Sequence, residues 1–592
     1  MNQNISHLLI NDEPEMTVAQ LSLVQANKNS VRDWLANLSM LNLGDTARQL
    51  YTTLKELSLL QTDEQTRFEL TELLRPSVHT IISSLTKHYF SQNFSLDQRA
   101  QRIATLVEEI RVYLIVIYDT ISTNCNHKLQ SQNFGLFNIK NKKNLLDLIA
   151  LSNHRALTEM TGLLYELQSL YLTIPKGLWK KTHTLYQRAS ELHLTKVEIE
   201  DKTNPIIVMS NIKRAYSRMI IMGVSNTNKL RQSEIKAVYQ SSILWADLIA
   251  LDSMETPYHL FSTDLNQDQP PTYVTKKAGA STSMLYVNVQ KLLQHFKNLM
   301  DQYPQYLHAS EQKQFSTALK AHLVNNFSTP SERIHTRHPY SGKVDIAFGL
   351  LGIHYHLSNG KTFEDIINVH RDYLLTSDTE VKSLFGQVEY DIDIDFPGQG
   401  KSKKTDAVAE MSELYECEIV NISPGGYCLR WQGESPTTLR TGELVVICEP
   451  SDKVWHIGLI RWVKQIPIKV IEFGIEIISS RAKICGIRSA QRNDTIDSFK
   501  RAILLPEIQS LNRPATLITQ AFAFHRNQRV IIRYGNEEIR AILNKEYLIT
   551  QSFIQFEYTI EEDDLNSTKY ENQSTIDSTA LVSPDDEVWK IL

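Results

Sequence analysis

The chain has few cysteines, and no two of them form a C-x-x-C pair: Cys125, Cys417, Cys428, Cys448 and Cys485 are scattered over 592 residues. An odd, dispersed set reads as the reduced thiols of a cytosolic protein, buried as small hydrophobes. The chain also lacks an excess of charge of either sign. Its 62 basic and 67 acidic side chains leave a net −5, so no long-range field gathers DNA, RNA or anionic lipid, and an anionic ligand has to be held by a local cluster. Long apolar runs are missing too. The run Val112 to Ile117 falls far short of the roughly 20 residues needed to cross a bilayer, and Asp12, Glu13 and Glu15 interrupt the opening stretch where a secretory leader would be apolar. Finally, no G-x-x-x-x-G-K-[ST], G-x-S-x-G, H-E-x-x-H or G-x-G-x-x-G occurs, so the common phosphate-cradle, serine-nucleophile, zincin and dinucleotide signatures are absent.

What is present is ordinary globular composition, 42% hydrophobic and 22% charged, over a length that calls for two to four domains. From about residue 17 to 327, segments such as LVEEIRVYLIVIYDTIS and SMLYVNVQKLLQHFKNLMDQY space apolar residues by three and four, the pattern of one helix face, and predict an all-α helical array. Residues 177–194 have the feel of a tetratricopeptide helix, but there is no clean 34-residue period, and an ordinary bundle or irregular solenoid is the plainer expectation.

Beyond Pro330 the period changes to two. KVDIAFGLLGIHYHLSNGK reads as an antiparallel strand ending in an Asn359-Gly360 turn, residues 362–388 read as helical, and DIDIDFPGQGKSKKTD reads as a polar linker. Five short strands follow from Tyr415 to Ser480, suggesting a small closed barrel, and a further β-rich unit begins near Ala502, readable as a second, degenerate barrel. The expected division is a helical domain at 1–327, a barrel at 328–495 with an insertion at about 361–412, and a β-rich domain at 496–592 with an acidic tail.

His354 and His356 would alternate on one strand face near His335 and His338, but no carboxylate or thiolate accompanies them, so they read as surface histidines rather than metal ligands. Asp391, Asp393 and Asp395 lack the glycine and glutamate of a calcium loop and read as solvated linker.

Two pieces carry chemistry. Arg333-Ile-His-Thr-Arg337 sets two arginines four apart before a predicted strand, and Asn421-Ile-Ser423-Pro-Gly-Gly426 makes a turn between two strands. Together they resemble the R-x-x-x-R and [DN]-x-S-x-x-G hallmarks of the PilZ family, and GLIRWV (458–463) and EFGIEII (472–478) resemble its closing strands. The resemblance covers roughly residues 331–490 and implies a receptor for cyclic di-GMP. Guanidinium groups fork onto phosphate oxygens or the O6/N7 edge of guanine and stack on purine faces, Asn421 and Ser423 offer donors and acceptors, and Gly426 lets the backbone adopt positive φ and approach a flat ligand.

Arg430, Trp431 and Arg461 are secondary candidates, with Trp431 and Trp462 expected to serve mainly as core. The family implies no catalysis, and the boxes of enzymes that make or break the dinucleotide are missing. It implies outputs in motility, pili, adhesion or exopolysaccharide, reached through an effector protein that the helical half would meet; a ligand-free scaffold is the alternative. One departure stands out. Arg337 precedes Asn421 by 84 residues rather than a few tens, so an excursion must be inserted between the first two barrel strands.

Overall fold

The computed structural model describes residues 2–10, 14–39, 42–90, 96–132, 138–203, 206–274, 283–301, 308–330, 336–368, 413–450, 454–466, 470–490, 498–507 and 514–561. Arg333, His335, the linker with Asp391, Asp393 and Asp395, and the acidic tail lie outside these residues.

The first half is helical. Helices α1 (Asn2–Ile10), α2 (Lys28–Ala36), α3 (Leu43–Ser58), α4 (Glu64–Thr86), α5 (Gln98–Ser131), α6 (Ile139–Ser169) and α7 (Leu178–Glu191) lead to a hairpin of β1 (Ile199–Glu200) and β2 (Met209–Ser210), then to α8 (Ile212–Val224) and α9 (Gln232–Trp245). Several starts follow local chemistry: Asn27, Asn42, Asp63, Asp97 and Asn211 accept the backbone N–H three residues on, satisfying donors that the first helical turn leaves open. The long α5 and α6 pack along each other and bury Ile110, Leu114, Ile117, Ile149, Leu163 and Leu167.

A buried ionic network ties these helices together. Glu159 on α6 accepts from Arg75 at 3.3 Å, Arg111 at 2.8 Å and His79 at 2.7 Å, while Asp201, just after β1, takes a two-pronged bond from Arg75 at 2.9 Å on each oxygen. Such a network fixes register more than it adds stability, because desolvation offsets much of the attraction.

The helical half is not purely helical. Strands β3 (Ala250–Asp252), β4 (His259–Asp264), β5 (Thr272–Tyr273) and β6 (Met284–Asn288) form a sheet in the order β3-β6-β4-β5, followed by α10 (Gln290–Met300), α11 (Ala309–Gln314) and α12 (Thr317–Ser328). Thus SMLYVNVQKLLQHF divides into a strand and a helix, since Leu285, Tyr286 and Val287 all find buried partners in the sheet.

β7 (His338–Phe348) opens the first barrel. The strand expected to run on through IHYHL stops at Phe348, where Gly349 takes φ +74° and α13 (Gly349–Leu357) begins. Leu350, Ile353 and Leu357 share a helix face, so His354 and His356 do not alternate on a strand. His354 is buried and its Nε2 bonds the Ala502 carbonyl at 3.0 Å. Of the helix expected over 362–388, α14 (Phe363–Ile367) is present and ends at Asn368, which takes φ +47°; residues 369–388 lie outside the described residues.

β8 (Tyr415–Ser423), β9 (Gly426–Gln432), β10 (Leu444–Cys448), β11 (Trp455–Ile466) and β12 (Val470–Ser479) complete a closed antiparallel barrel in the order β7-β8-β9-β12-β11-β10. β13 (Lys483–Ser489), counted with the first barrel in the sequence reading, pairs instead with β14 (Lys500–Leu505) and β16 (Arg529–Tyr534). With β15 (Thr516–Gln520), β17 (Glu537–Ile549) and β18 (Phe553–Ile560) these close a second barrel in the order β13-β14-β15-β18-β17-β16, the same strand permutation as the first.

The barrels stand back to back. Leu444, Val446, Ile457 and Leu459 on the outside of the first meet Ile503, Leu505, Ile518 and Phe553 of the second, with Leu350 and Ile353 of α13 wedged between. Each such side chain contributes about 1.5–3 kcal/mol on full burial, enough to make the two barrels one unit. The inside of the first barrel shares a continuous apolar core with the helical half.

Candidate functional site

β8 and β9 join in a two-residue hairpin at Pro424-Gly425, with Ser423 paired to Gly426. The tip is pinned to the next strand by Ile477 N–H donating to Gly425 O at 3.0 Å, and the Ser423 hydroxyl donates to Gly426 O at 3.3 Å. Gly426 has φ +152°, and a methyl there would stand 1.9 Å from the Ile475 carbonyl oxygen. Its bare Cα therefore lets the hairpin close onto β12, a reason other than the approach of a ligand.

On the neighbouring strand, His338 pairs with Ile422 and Pro339 with Asn421, so the chain emerging from the arginine segment enters the barrel beside the hairpin. The excursion between the first two strands leaves that pairing intact. Arg337 is exposed, its guanidinium carbon lies 6.0 Å from the centroid of the Trp462 indole, and it makes no ion pair among the described residues. Arg337, Asn421, Ser423 and Gly426 are thus brought to one end of the barrel; Arg333 is outside the described residues.

The register reveals a feature not visible in the motifs. Asn421 pairs with Cys428, Cys428 with Gly474, and Gly474 with Trp462, so these four residues form one row across β8, β9, β12 and β11 on the barrel's outer surface. Gly474 is the flat spot. A Cβ there would lie 2.0 Å from Trp462 Nε1 and 2.5 Å from Cε2, so the half-buried indole lies directly over a bare backbone. Trp431 behaves as expected, buried beside Phe348 and Tyr415 with its Nε1 donating to Glu434 O. Trp462 belongs to the outer face instead. Nothing local marks it: its direction follows from the bulge after Ile460 and from the Gly474 opposite, and both exist only through pairing across strands.

Charges around the row are arranged in pairs. Glu472 is held by Arg430 at 2.8 Å, and Glu476 by Arg461, which occupies the bulge, at 2.9 Å. With both carboxylates matched, Arg337 is a positive charge of this face that has no ion pair among the described residues. Burial and the Glu472 carboxylate push the Cys428 thiol up, while Arg337, Arg430 and a hydrogen bond from Asn421 pull the other way, so the thiol remains protonated and unreactive at neutral pH. Arg461 also lies near enough to Lys229 to join burial in depressing that ammonium, which places the helical half next to this face.

A closed six-stranded antiparallel barrel, entered by an arginine arm beside an N-x-S-x-x-G hairpin, defines a PilZ-domain protein. Family models match residues 29–256 as the N-terminal domain, 260–483 as the middle PilZ domain and 485–560 as the C-terminal β-barrel domain of the cyclic-di-GMP receptor FimW. The chain belongs to this three-domain FimW family. The middle match takes in most of the four-stranded sheet as well as the barrel. Among curated proteins the chain is similar to the cyclic-di-GMP receptor FimW of Pseudomonas aeruginosa, 29% identical over 573 residues, which span 92% of each chain. No solved structure matches significantly.

Proposed function

We propose that this protein is a bacterial, cytoplasmic receptor that binds cyclic di-GMP on the outer face of its first barrel, catalyses no reaction, and passes the signal to an effector protein through its helical half. The observation that carries the reading is the position of Arg337, beside the Asn421–Gly426 hairpin and over the Trp462 ring, as a cation with no anionic partner among the described residues. In this reading Arg337, with Arg333 from the same segment, grips phosphate and guanine edges. Asn421 and Ser423 complete the polar contacts. The shelf formed by Gly474 and Trp462 gives a purine a flat surface on which to stack.

The route to the helical half is short. Arg461 pairs with Glu476 at the ligand face and lies beside Lys229, and Arg231 at the start of α9 donates to Thr441 O of the first barrel at 3.0 Å and to Ser552 Oγ of the second at 2.6 Å. A ligand that redirects the arm and Arg461 acts differently on two states of this junction, as a switch requires. The outputs are those of the family: motility, pili, adhesion or exopolysaccharide.

Isothermal titration of the full chain with cyclic di-GMP tests the assignment. Arg337→Ala is expected to lower affinity at least about 100-fold, the loss of a charge-assisted, forked contact, with an unchanged melting temperature. Wild-type affinity in that variant refutes the site, and absence of binding by the wild-type chain leaves the barrel as a protein-binding scaffold.

A further inference from the structure

A polar cavity lies inside the helical half. Small, at about 20 Å³, it opens between α6, the β1–β2 hairpin, α8 and α9, and its polar lining is His154, Thr158, Asp201, Ser210, Arg214 and Arg218. The informative residue is Arg218. Only 9% exposed, it donates from Nε to Ser242 Oγ at 3.2 Å and lies 5.3 Å from the Tyr239 ring centroid, yet among the described residues it has no carboxylate partner. A guanidinium does not shed its proton on burial, and the two terminal nitrogens of Arg218 make no hydrogen bond among the described residues.

The other charges around the cavity are already matched. Asp201 is gripped by both prongs of Arg75 and approached by Arg155 at 3.4 Å, which hold its carboxyl well below the usual range despite burial. Arg214 is forked onto Asp247 at 2.9 Å. His154 is neutral: burial and the Arg155 charge bring it down to about 3, and Arg155 donating to Nδ1 at 3.2 Å leaves the ring proton on Nε2.

We infer that this cavity is a binding site for a small oxyanion, a phosphate or carboxylate group, with Arg218 as its counter-charge and the Ser210 hydroxyl beside it; the Thr158 hydroxyl already donates to the His154 carbonyl at 2.8 Å. The inference stands apart from the proposed dinucleotide site, because it rests on different residues in a different domain. Ile207, Ala215 and Ile243 wall the space with hydrocarbon, which sharpens the attraction between an anion and the guanidinium by excluding water.

The test is a melting-temperature titration of the full chain with inorganic phosphate and, separately, with acetate, at an ionic strength held constant with chloride. The expected result is a saturable rise of about 2 °C or more with at least one anion, retained in Arg337→Ala and lost in Arg218→Met. Which anion acts distinguishes a phosphoryl from a carboxylate ligand. Absence of a saturable rise with either anion, or an equal rise in Arg218→Met, overturns the site. Should the methionine variant fail to fold, Arg218→Lys serves: it keeps a charge but loses the fork, and half-saturation is expected at about tenfold higher anion. An unshifted midpoint overturns the inference.

Discussion

Alanine at Gly474 separates the ligand face from the fold. The added methyl would stand 2.0 Å from Trp462 Nε1 and 2.7 Å from Cδ1, where ordinary contacts begin near 3.4 Å, so the indole must lift or swing by well over 1 Å. It is free to do so because it lies on the outer surface. Gly474 has no positive φ and pairs regularly with β9, the bulge lying opposite on β11, and alanine recovers about 0.5–1 kcal/mol of backbone entropy there. Net stability should stay within about 1 kcal/mol of wild type.

Recognition should suffer more. Losing the indole under Arg337 removes about 0.5–1 kcal/mol of cation–π attraction, and losing a stacking surface for a base removes about 1–3 kcal/mol. Together these correspond to a fall in cyclic di-GMP affinity of roughly 10- to 1000-fold. Gly426→Ala is the control. Its methyl meets a backbone oxygen at 1.9 Å and φ is positive, so neither neighbour yields, and overpacking with backbone strain should cost about 2–5 kcal/mol. Urea denaturation and calorimetric titration of both variants decide the matter. If Gly474→Ala unfolds as readily as Gly426→Ala, or binds like wild type, the outer row is not the ligand bed.

Three further outcomes follow from buried polar groups. Arg231→Ala removes donors to Thr441, Gln551 and Ser552 at the meeting point of three domains, and should cost about 2–4 kcal/mol and speed hydrogen exchange at 441–443 and 550–553. Glu108 is buried with neither oxygen bonded, and burial followed by the Glu166 charge raises it to about 8. The folded chain then holds a proton that the unfolded chain releases above about 4.5, so stability falls as pH rises from about 4.5 to 8, by about 3–5 kcal/mol in total. Glu108→Gln should flatten that fall in urea melts at pH 5.5 and 8. His354 has the opposite sign. Burial and then the Arg501 charge lower it to about 3, so stability present above pH 6.5 is lost as pH drops toward 3, and His354→Gln should make the acid loss of melting temperature shallower.

How much of this was legible in the sequence depends on range. The barrel strands announced themselves because each alternates inward and outward residues locally, as in GYCLRW, where Leu429 and Trp431 face in and Cys428 and Arg430 face out. The hairpin was legible because its turn chemistry is contained in six residues. IHYHL misled because an alternating pattern and a helix-spaced one overlap in so short a run, and Gly349, whose positive φ breaks the strand, looks like any other glycine in the sequence. MLYVN was absorbed into its following helix for the same reason. The Asn421–Cys428–Gly474–Trp462 row was not legible at all, since it exists only through pairing across four strands and depends on the bulge at Arg461.

That bulge has a counterpart. In the second barrel β17 also skips a residue, Asn544, against β18, and the next row runs Lys545, Glu557, Thr516, Leu505. Where the first barrel leaves a bare glycine beneath an aromatic plate, its twin raises a carboxylate beside an ammonium. Under the proposed reading, a base that stacks on the first barrel's plate would meet charged side chains at the same place on its twin, so the first barrel and not the second is the expected bed.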